Sequence, residues 1–452
     1  MKNTLSKLGC YMALVCLSVP GWGQTVKQVD TLHINLEQAL QIALSENPTI
    51  KVAEQEIQRV DYSKQSAWIG LLPSVNGTVQ AAMYLIPAKM SMMGMIVDQP
   101  VDYTTGLGVS LTLPLIAPGL WSSIQMTTLD MQLAVEKARA SKITLRNSVI
   151  NAYYNILLAQ ESYQTLLDGH QIAKDNYTLA KDRFDVGVAA EYDVIVAETQ
   201  MQNLKPTLLQ VENAIIQANT FLKVLMGVDM NTPIQVEGQL SDFEANIVST
   251  NGIRDISLHN NSDLRQLEIQ QQQLHKSLHL VRSQRLPTLG AFANYNYNGT
   301  GNKEDKTLSF GPMSMFVEKG TQWYGQGLIV GLQLSIPLTG LFTNIPREKQ
   351  IAVQEKQLTL QRSYVAENIA LQVRMELDNM DRAVKQAEAA KQGVALAEKG
   401  YKISTARYET GAGIMLELQS TALTLTQARL AYTQAIADYL SAKANYEKLI
   451  GE

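Results

Sequence analysis

The chain has 452 residues, a formal net charge of −4 at pH 7 and 18% charged residues. A chain of this length can bury a large core or form an extended assembly. The slightly acidic balance and the lack of any basic run argue against nucleic acid as a partner.

The N-terminal end has the pattern of a secretory signal. Lys2 and Lys7 supply the positive region, an apolar stretch follows, and residues 21–23 form a cleavage site with small residues at its ends. We therefore expect 1–23 to be a signal peptide. Both cysteines fall inside it, so the mature chain would carry no thiol. Cleavage before Cys16 with lipidation of that cysteine is the alternative, which the bulky preceding residue disfavours.

Helical and strand patterns follow in alternation. A helix is expected from Leu36, and a second one from Pro48 to about residue 69, since proline is tolerated at a helix start. After Leu72-Pro73 the apolar period falls from about 3.6 to 2, which predicts strands over about 73–84 and 103–114. Each strand has one apolar face, as in a barrel with lipid outside and water inside. A soluble hairpin with one buried face has the same alternation.

The strands are followed by unusually long helical patterns. The first runs without proline from about Gly119 to Asp185, which is on the order of 100 Å of helix. A return helix is expected from Glu191 to Met226, and its apolar residues are spaced alternately three and four, as in a coiled-coil seam. Gly187 breaks the pattern between them, as a tight turn between antiparallel helices requires.

The same order of patterns then restarts. Strands are expected over about 287–298 and 323–337, followed by a long helix from about Pro346 and a return helix ending at Leu449. The stretch that begins at Arg183 recurs 224 residues later with arginine, aromatic, glycine and acid at the same spacing. Duplication at this period indicates a repeated helical hairpin. The predicted organisation is a first repeat over 24–226, a connector over 227–253 and a second repeat over 254–452.

The ordered set of duplicated motifs resembles the TolC family of outer-membrane efflux proteins over essentially the whole mature chain. The motifs are Leu36-Glu37-Gln38-Ala39-Leu40, Asn47-Pro48, Leu72-Pro73, Leu286-Pro287, the tips at Arg183 to Gly187 and Arg407 to Gly411, and the endings Leu225-Met226-Gly227 and Leu449-Ile450-Gly451. The resemblance implies a mainly α fold with a membrane β-barrel portion. It implies a homotrimer in which three chains share a twelve-stranded barrel, surrounded by outer-membrane lipid, above a periplasmic coiled-coil tunnel.

The resemblance also implies a function. The chain would be an outer-membrane channel-tunnel that exports drugs, metals, other small molecules or proteins. An inner-membrane pump of the resistance-nodulation-division or ABC type would deliver them through a periplasmic membrane-fusion adaptor. The alternative is a periplasmic coiled-coil scaffold or adaptor without a transmembrane barrel, in which the strands form a soluble module.

The resemblance places the functional residues at the two hairpin tips. The residues that would face the adaptor are Val186, Gly187, Val188, Thr410, Gly411 and Ala412. The second of these triplets departs from the Val-Gly-Leu of the family, so docking there would use different contacts. The residues that would form the periplasmic gate, or tunnel constriction, are Tyr408, Asp193 and Glu417. Gly413 stands where the family has a latching arginine, so how the gate is held shut is open.

The gate residues also have simpler interpretations. An acid near a helix N-terminus is stabilised by the helix dipole, which accounts for Asp193 and Glu417 without an acidic ring. Ordinary packing at the end of a hairpin accounts for Tyr408. We favour the acidic ring because the acid recurs at the same position in both repeats.

No pattern of catalytic residues, phosphate-cradling loop or metal-ligand set stands out, so we expect no enzymatic activity and no cofactor or bound metal. His275 and His279 have a spacing that suits two metal ligands, but a solvated helix face accounts for them better. Methionines crowd the loops between strands, where adaptable packing over the barrel mouth accounts for them better than soft-metal binding does. They are Met90, Met92, Met93, Met95, Met313 and Met315.

Overall fold

The computed structural model describes residues 32–86, 89–92, 95–99, 101–247, 257–310 and 313–452. The predicted signal peptide over 1–23, with Cys16, lies outside these residues. So does part of the predicted connector.

The strands are β1 Leu32–Ile34, β2 Ser74–Met83, β3 Lys89–Met92, β4 Met95–Asp98, β5 Tyr103–Ile116, β6 Ile234–Val236, β7 Thr288–Asn302, β8 Lys306–Phe310, β9 Met313–Val317 and β10 Gly320–Ser335. The helices are α1 Leu36–Glu46, α2 Pro48–Ile69, α3 Pro118–Asp185, α4 Glu191–Met226, α5 Ser262–Ser283, α6 Gly340–Thr343, α7 Ile345–Glu409 and α8 Met415–Ile450, with a 3-10 helix over Leu240–Asn246.

Helices α1 and α2 begin where capping asparagines precede apolar runs. Asn35 and Gln38 form a reciprocal capping box at the start of α1. The Asn47 side chain accepts a hydrogen bond from Thr49 N at the start of α2, and Pro48 takes the first helical position, where no N–H is needed. Among the described residues, no helix combines the length and the apolar character that crossing a membrane requires.

Four strands form one antiparallel sheet in the order β10-β7-β5-β2. The register aligns their apolar positions: Val109 of β5 lies opposite Gly77 of β2 and Tyr295 of β7, and Tyr295 lies opposite Leu328 of β10. Residues that lie directly opposite each other share a face. The four strands therefore present one continuous apolar face, and this face is exposed in the single chain.

The opposite face of the sheet is small and polar. Gly108 of β5 lies between Thr78 and Asn296, and a Cβ at Gly108 would lie 2.6 Å from the threonine Oγ1 and 2.7 Å from the asparagine Oδ1. Glycine is needed where longer neighbouring side chains lean across a strand. The glycines of β5 thus leave room for the amide side chains of β7.

The strand bounds differ from the predicted ones at their ends. β5 continues past Pro114 to Ile116 through an irregularity in its pairing with β7, because proline has no N–H to donate to the ladder. β10 begins at Gly320 and ends at Ser335, earlier at both ends than the predicted 323–337. β7 extends to Asn302, beyond the predicted end at 298.

The helical part is a layer of four long helices. Helix α3 packs against α4 and α8, and α8 also packs against α7, so α4 and α7 lie at the two edges of the layer. α3 has 68 residues and α7 has 65, which gives each a length of about 100 Å. Their unusual length was predicted from the absence of any break in the helical pattern.

The main core lies midway along this layer. It joins buried residues of α1, α3, α4, α7 and α8 to the strand β6 and the 3-10 helix. The connector is bound there by specific contacts: the Tyr153 hydroxyl donates to Glu237 O, and Glu161 Oε1 accepts from Leu240 N at 2.5 Å. Burial raises the pKa of the Glu161 carboxyl. The division of the chain into two repeats and a connector stays an interpretation, consistent with this arrangement.

Candidate functional site at the hairpin tips and the sheet

The two hairpin tips have the same backbone conformation. Gly187 and Gly411 adopt φ of +76° and +77°, in the left-handed region that favours glycine. Val188 N donates to Arg183 O at 2.9 Å, and Ala412 N donates to Arg407 O at 2.8 Å. Each tip therefore ends its long helix with a Schellman motif, which satisfies carbonyls that the helix itself leaves without partners.

The predicted docking residues lie on the surface, but the two tips differ chemically. Val186 and Val188 are 73% and 61% exposed. A Cβ at Gly187 would meet no atom within 4 Å. The first tip is thus an open apolar knob. At the second tip, Thr410 and Ala412 are also exposed, but the threonine hydroxyl donates to Ala406 O of its own helix. Adaptor docking at either tip stays a prediction.

Tyr408 lies inside the chain rather than on its surface. It is 3% exposed and packs with Ala180, Ala197, Met415 and Leu418 in a small apolar cluster just behind the tips. Burial, followed by the nearby Asp193 carboxylate, raises the pKa of its phenol. In this geometry the ring cannot itself line a constriction. A role in the gate, still a prediction, would act through the relative position of the two hairpins.

The two predicted acids have different surroundings. Glu417 Oε1 accepts from Arg407 Nη1 at 2.6 Å, so its charge is paired within its own hairpin. Asp193, at the equivalent position of the first hairpin, has no basic partner among the residues that the structure describes. An acidic ring formed by several copies stays a prediction, and this geometry makes Asp193 its stronger contributor.

Arg183 contacts the second hairpin, a role that the sequence patterns did not predict. Its Nη1 donates to Glu409 O at 2.6 Å, and its guanidinium carbon lies 5.2 Å from the centroid of the Tyr408 ring. This contact joins the first hairpin to the second. The recurrence of arginine in both tips was a signal that these positions mattered, but it did not distinguish their partners.

The sheet carries the second functional surface. None of the described strands β2, β5, β7 and β10 contains a charged residue. The small and polar face carries hydroxyl and amide groups, among them Asn294, Asn296 and Asn298. β2 and β10 each pair on one side only, so the described sheet has two open edges.

The sequence pointed to histidines and methionines as possible metal ligands, and most of them lie in the described part of the chain. No group of three or more histidine, cysteine, aspartate or glutamate side chains is placed to hold an ion there. The rings of His275 and His279 lie 5.0 Å apart, edge to face. The loop methionines Met90, Met92 and Met95 lie in β3 and β4, and Met313 and Met315 lie in β9. Met93 lies outside the described residues.

A sheet with one exposed apolar face and one uncharged polar face, continuous with helices about 100 Å long, defines the channel-tunnel class of outer-membrane proteins. Comparison with known protein families supports the same class of protein. The family described as "Outer membrane efflux protein" matches residues 39–228 and 253–452. The chain belongs to this family, which locates it in the cell outer membrane with its helical part in the periplasm. The family consists of channel proteins rather than enzymes.

Individual relatives agree with the family. The probable efflux pump outer membrane protein TtgC of Pseudomonas putida is 30% identical over 224 residues, which cover 47% of this chain and 45% of the relative. The chain thus spans about half the length of the curated relatives that it matches first. The outer membrane protein TolC of Vibrio cholerae is 20% identical over 346 residues, covering 76% of each chain.

Solved structures share the fold at low identity. CusC, whose structures describe transmembrane channel formation, superposes with a TM-score of 0.73 at 15% identity and 93% coverage of both chains. The outer-membrane channel OprN superposes with a TM-score of 0.71 at 14% identity, covering 92% of this chain and 89% of that chain. At these identities the likeness establishes the fold alone.

Proposed function

We propose that three copies of this chain form an outer-membrane channel-tunnel that exports substrates delivered by an inner-membrane pump through a periplasmic adaptor. The observation that carries the proposal is the four-stranded sheet, which has an exposed apolar face and two open edges. Its strands connect directly to helices long enough to form a periplasmic tunnel. The relative TtgC, which is named as a probable efflux pump protein, supports the direction of transport.

The strand count requires more than one chain. Membrane barrels need at least about eight strands, and this sheet has four. A barrel of eight strands is just wide enough for side chains to fill it, so two copies would leave no wide duct. Twelve strands is the next multiple of four. Pairing of β2 of one copy with β10 of the next repeats head to tail and closes into a ring.

The helical layer supports the same arrangement, because both of its edge helices carry unpaired apolar stripes. An α-helix turns by about 100° per residue, and on this basis the exposed apolar residues of the α7 stripe lie within a narrow arc of the helix surface. They are Val353, Leu360, Tyr364, Leu371, Met375, Leu396 and Ile403. Ile195, Leu209, Ile216 and Val224 form a similar exposed stripe on α4. Copies that pack side by side into a closed tunnel would bury both stripes.

A periplasmic scaffold with a soluble strand module is the alternative. Such a module would have to cover the apolar face of the sheet, which the described chain leaves exposed. Membrane fractionation separates the two functions. The channel should remain with the outer membrane and migrate as a heat-modifiable trimer in detergent. Release as a monomer without detergent would rule out the channel.

Adaptor docking is supported by the open apolar knob at Val186 and Val188. Replacing both valines with alanine should weaken co-purification with the adaptor and reduce export, because side chains of this exposure can bury area only on a partner. Leu209→Ala and Ile216→Ala, which shorten apolar side chains at the edge of the layer, are controls that should affect the trimer and not adaptor binding. Full export by the double valine variant would contradict docking at this tip. The pump and the substrate are to be identified from such export assays.

A further inference from the structure

We propose that Arg183 is the positioning residue that holds the second hairpin, α7–α8, against the first, α3–α4, at the tunnel entrance. The inference rests on the proposed function and adds to it the residue that keeps the resting channel narrow. Arg183 projects from the last turn of α3 and binds the end of α7.

The contact has two components. Arg183 Nη1 donates to the carbonyl oxygen of Glu409, the last residue of α7, at 2.6 Å. A cation at a helix C-terminus is stabilised by the helix dipole, and a hydrogen bond from a charged donor is stronger than one between neutral groups. The guanidinium also lies over the Tyr408 ring, with its carbon 5.2 Å from the ring centroid, in a cation–π contact. Both components cross between the hairpins.

The duplicated arginine does something different. Arg407 stands 224 residues after Arg183 at the same place in its Schellman motif, yet it pairs with Glu417 Oε1 at 2.6 Å within its own hairpin. The counterpart of that acid in the first hairpin, Asp193, has no basic partner in the described residues. The two arginines therefore occupy equivalent positions but bind different partners. Arg407 pairs within its own hairpin, whereas Arg183 binds the other hairpin.

The surroundings of the contact between Arg183 and Tyr408 also favour its release. Arg183 Nε and the Tyr408 hydroxyl are both buried without a hydrogen-bond partner. A buried polar group without a partner costs free energy, which it recovers when water reaches it. Separation of the hairpins would break one hydrogen bond and one ring contact and hydrate these two groups. Further from the tips, the next polar contact between α7 and α3 is a longer one, 3.3 Å from the Tyr401 hydroxyl to Asn176 Oδ1.

The second hairpin leaves little room for a latching side chain of its own. A Cβ at Gly413 would lie 3.1 Å from both Arg407 Cβ and Tyr408 N, which is closer than such atoms ordinarily approach. An arginine at this position would therefore require the backbone or its neighbours to shift. Arg183, a cation on the first hairpin, reaches the second hairpin without requiring such a shift.

Resting conductance of the purified full-length channel in planar bilayers tests the inference. Arg183→Ala should raise the resting conductance several-fold, whereas Arg407→Ala, which removes the equivalent arginine, should leave it near that of the unaltered protein. Arg183→Lys should lie between them, because lysine keeps the charge but lacks the planar fork. Unchanged conductance of Arg183→Ala in an intact detergent-stable trimer would overturn the inference, and so would an equal rise in Arg407→Ala.

Two substitutions at Tyr408 give an independent result if Arg183→Ala does not assemble. Tyr408→Phe keeps the ring face and should raise the resting conductance less than Tyr408→Leu, which keeps apolar bulk without the ring. Equal conductance of the two would contradict the ring contact. Failure of the unaltered protein to form any channel would instead remove the proposed function, so the two failures are distinguishable.

Discussion

The side chain of Asn47 and the backbone of Leu225 join two helix ends: Asn47 Nδ2 donates to Leu225 O at 2.7 Å while its Oδ1 caps the following helix. The second repeat has the same relationship, with Asn261 Nδ2 donating to Leu449 O at 2.8 Å. Each asparagine therefore ties the last turn of a return helix to the first turn of a helix in the same repeat. Both are nearly fully buried.

Substitution of one of these asparagines should destabilise the helical layer. Asn261→Ala removes an N-cap, worth about 1 kcal/mol, and leaves the Leu449 carbonyl without a partner at a cost of about 1–3 kcal/mol. We expect a total loss of about 2–4 kcal/mol, measured as a lower midpoint for heat dissociation of the trimer. Asn260→Ala changes the exposed neighbouring side chain and should have little effect. Equal midpoints for the two variants would show that the tie contributes nothing.

The two faces of the sheet should respond oppositely to a charge. Val109 lies on the apolar face of β5, and Asn296 lies on the polar face of the adjacent β7. Val109→Lys should cost roughly 2–4 kcal/mol if the site lies near the middle of the membrane, because lysine would face lipid. Asn296→Lys should assemble normally, because its side chain would face water. Folding yield into vesicles and the heat-modifiable trimer measure both. Normal assembly of Val109→Lys would contradict a lipid-facing surface.

Asp193 should dominate any cation preference of the channel. Its carboxylate has no basic partner in the described chain, whereas Glu417 is paired with Arg407. A ring of unpaired acids raises the local concentration of cations. Asp193→Asn should therefore reduce the reversal potential measured in a salt gradient, and Glu417→Gln should reduce it less. Strands β2, β5, β7 and β10 carry no charged residue, so they add no charge of their own. A larger effect from Glu417→Gln would contradict this assignment.

Alkaline pH should weaken the attachment of the connector. Burial, and then its hydrogen bond to Glu244, raise the pKa of Tyr432 from the ordinary value of 10 to about 12. Because the unfolded chain loses this proton first, the stabilisation is fully present below pH 10 and is lost between pH 10 and about 12. The slope should stay below the limit of about 1.4 kcal/mol per pH unit, since the ring is partly exposed.

Heat dissociation measured across this pH range tests the effect. Tyr432→Phe should flatten the decline, since phenylalanine has no proton to lose. Tyr62→Phe makes the same change on the exposed surface of α2 and should leave the pH profile unaltered. Identical profiles for Tyr432→Phe and the unaltered protein would exclude this tyrosine as the source.

The spacing of apolar residues predicted the architecture well, because it shows which residues share one face of a strand or helix. The change from a period of about 3.6 to 2 after Leu72-Pro73 located a strand, and the alternation placed Val109 and Tyr295 on one face before their register was known. The long helices were predictable for the same reason. The end of β5 was missed because a proline can sit within a strand at an irregularity as well as terminate one.

The site was less predictable, because its contacts are tertiary. Arg183 and Arg407 have the same local pattern, with an acid ten residues later, yet only Arg407 pairs with that acid. The packing of one hairpin on the other selects the partner of Arg183. The burial of Tyr408 has the same origin: an aromatic residue three positions before a glycine can face either the neighbouring hairpin or the tunnel.

The mass of the detergent-solubilised particle tests the central claim most directly. Native mass spectrometry of the purified full-length protein should give three polypeptides per particle, since the open edges of β2 and β10 must pair with those of other copies to form a closed wall. A particle that contains a single polypeptide, with both faces of its strands accessible to water-soluble labels, would contradict the shared barrel and the export function built on it.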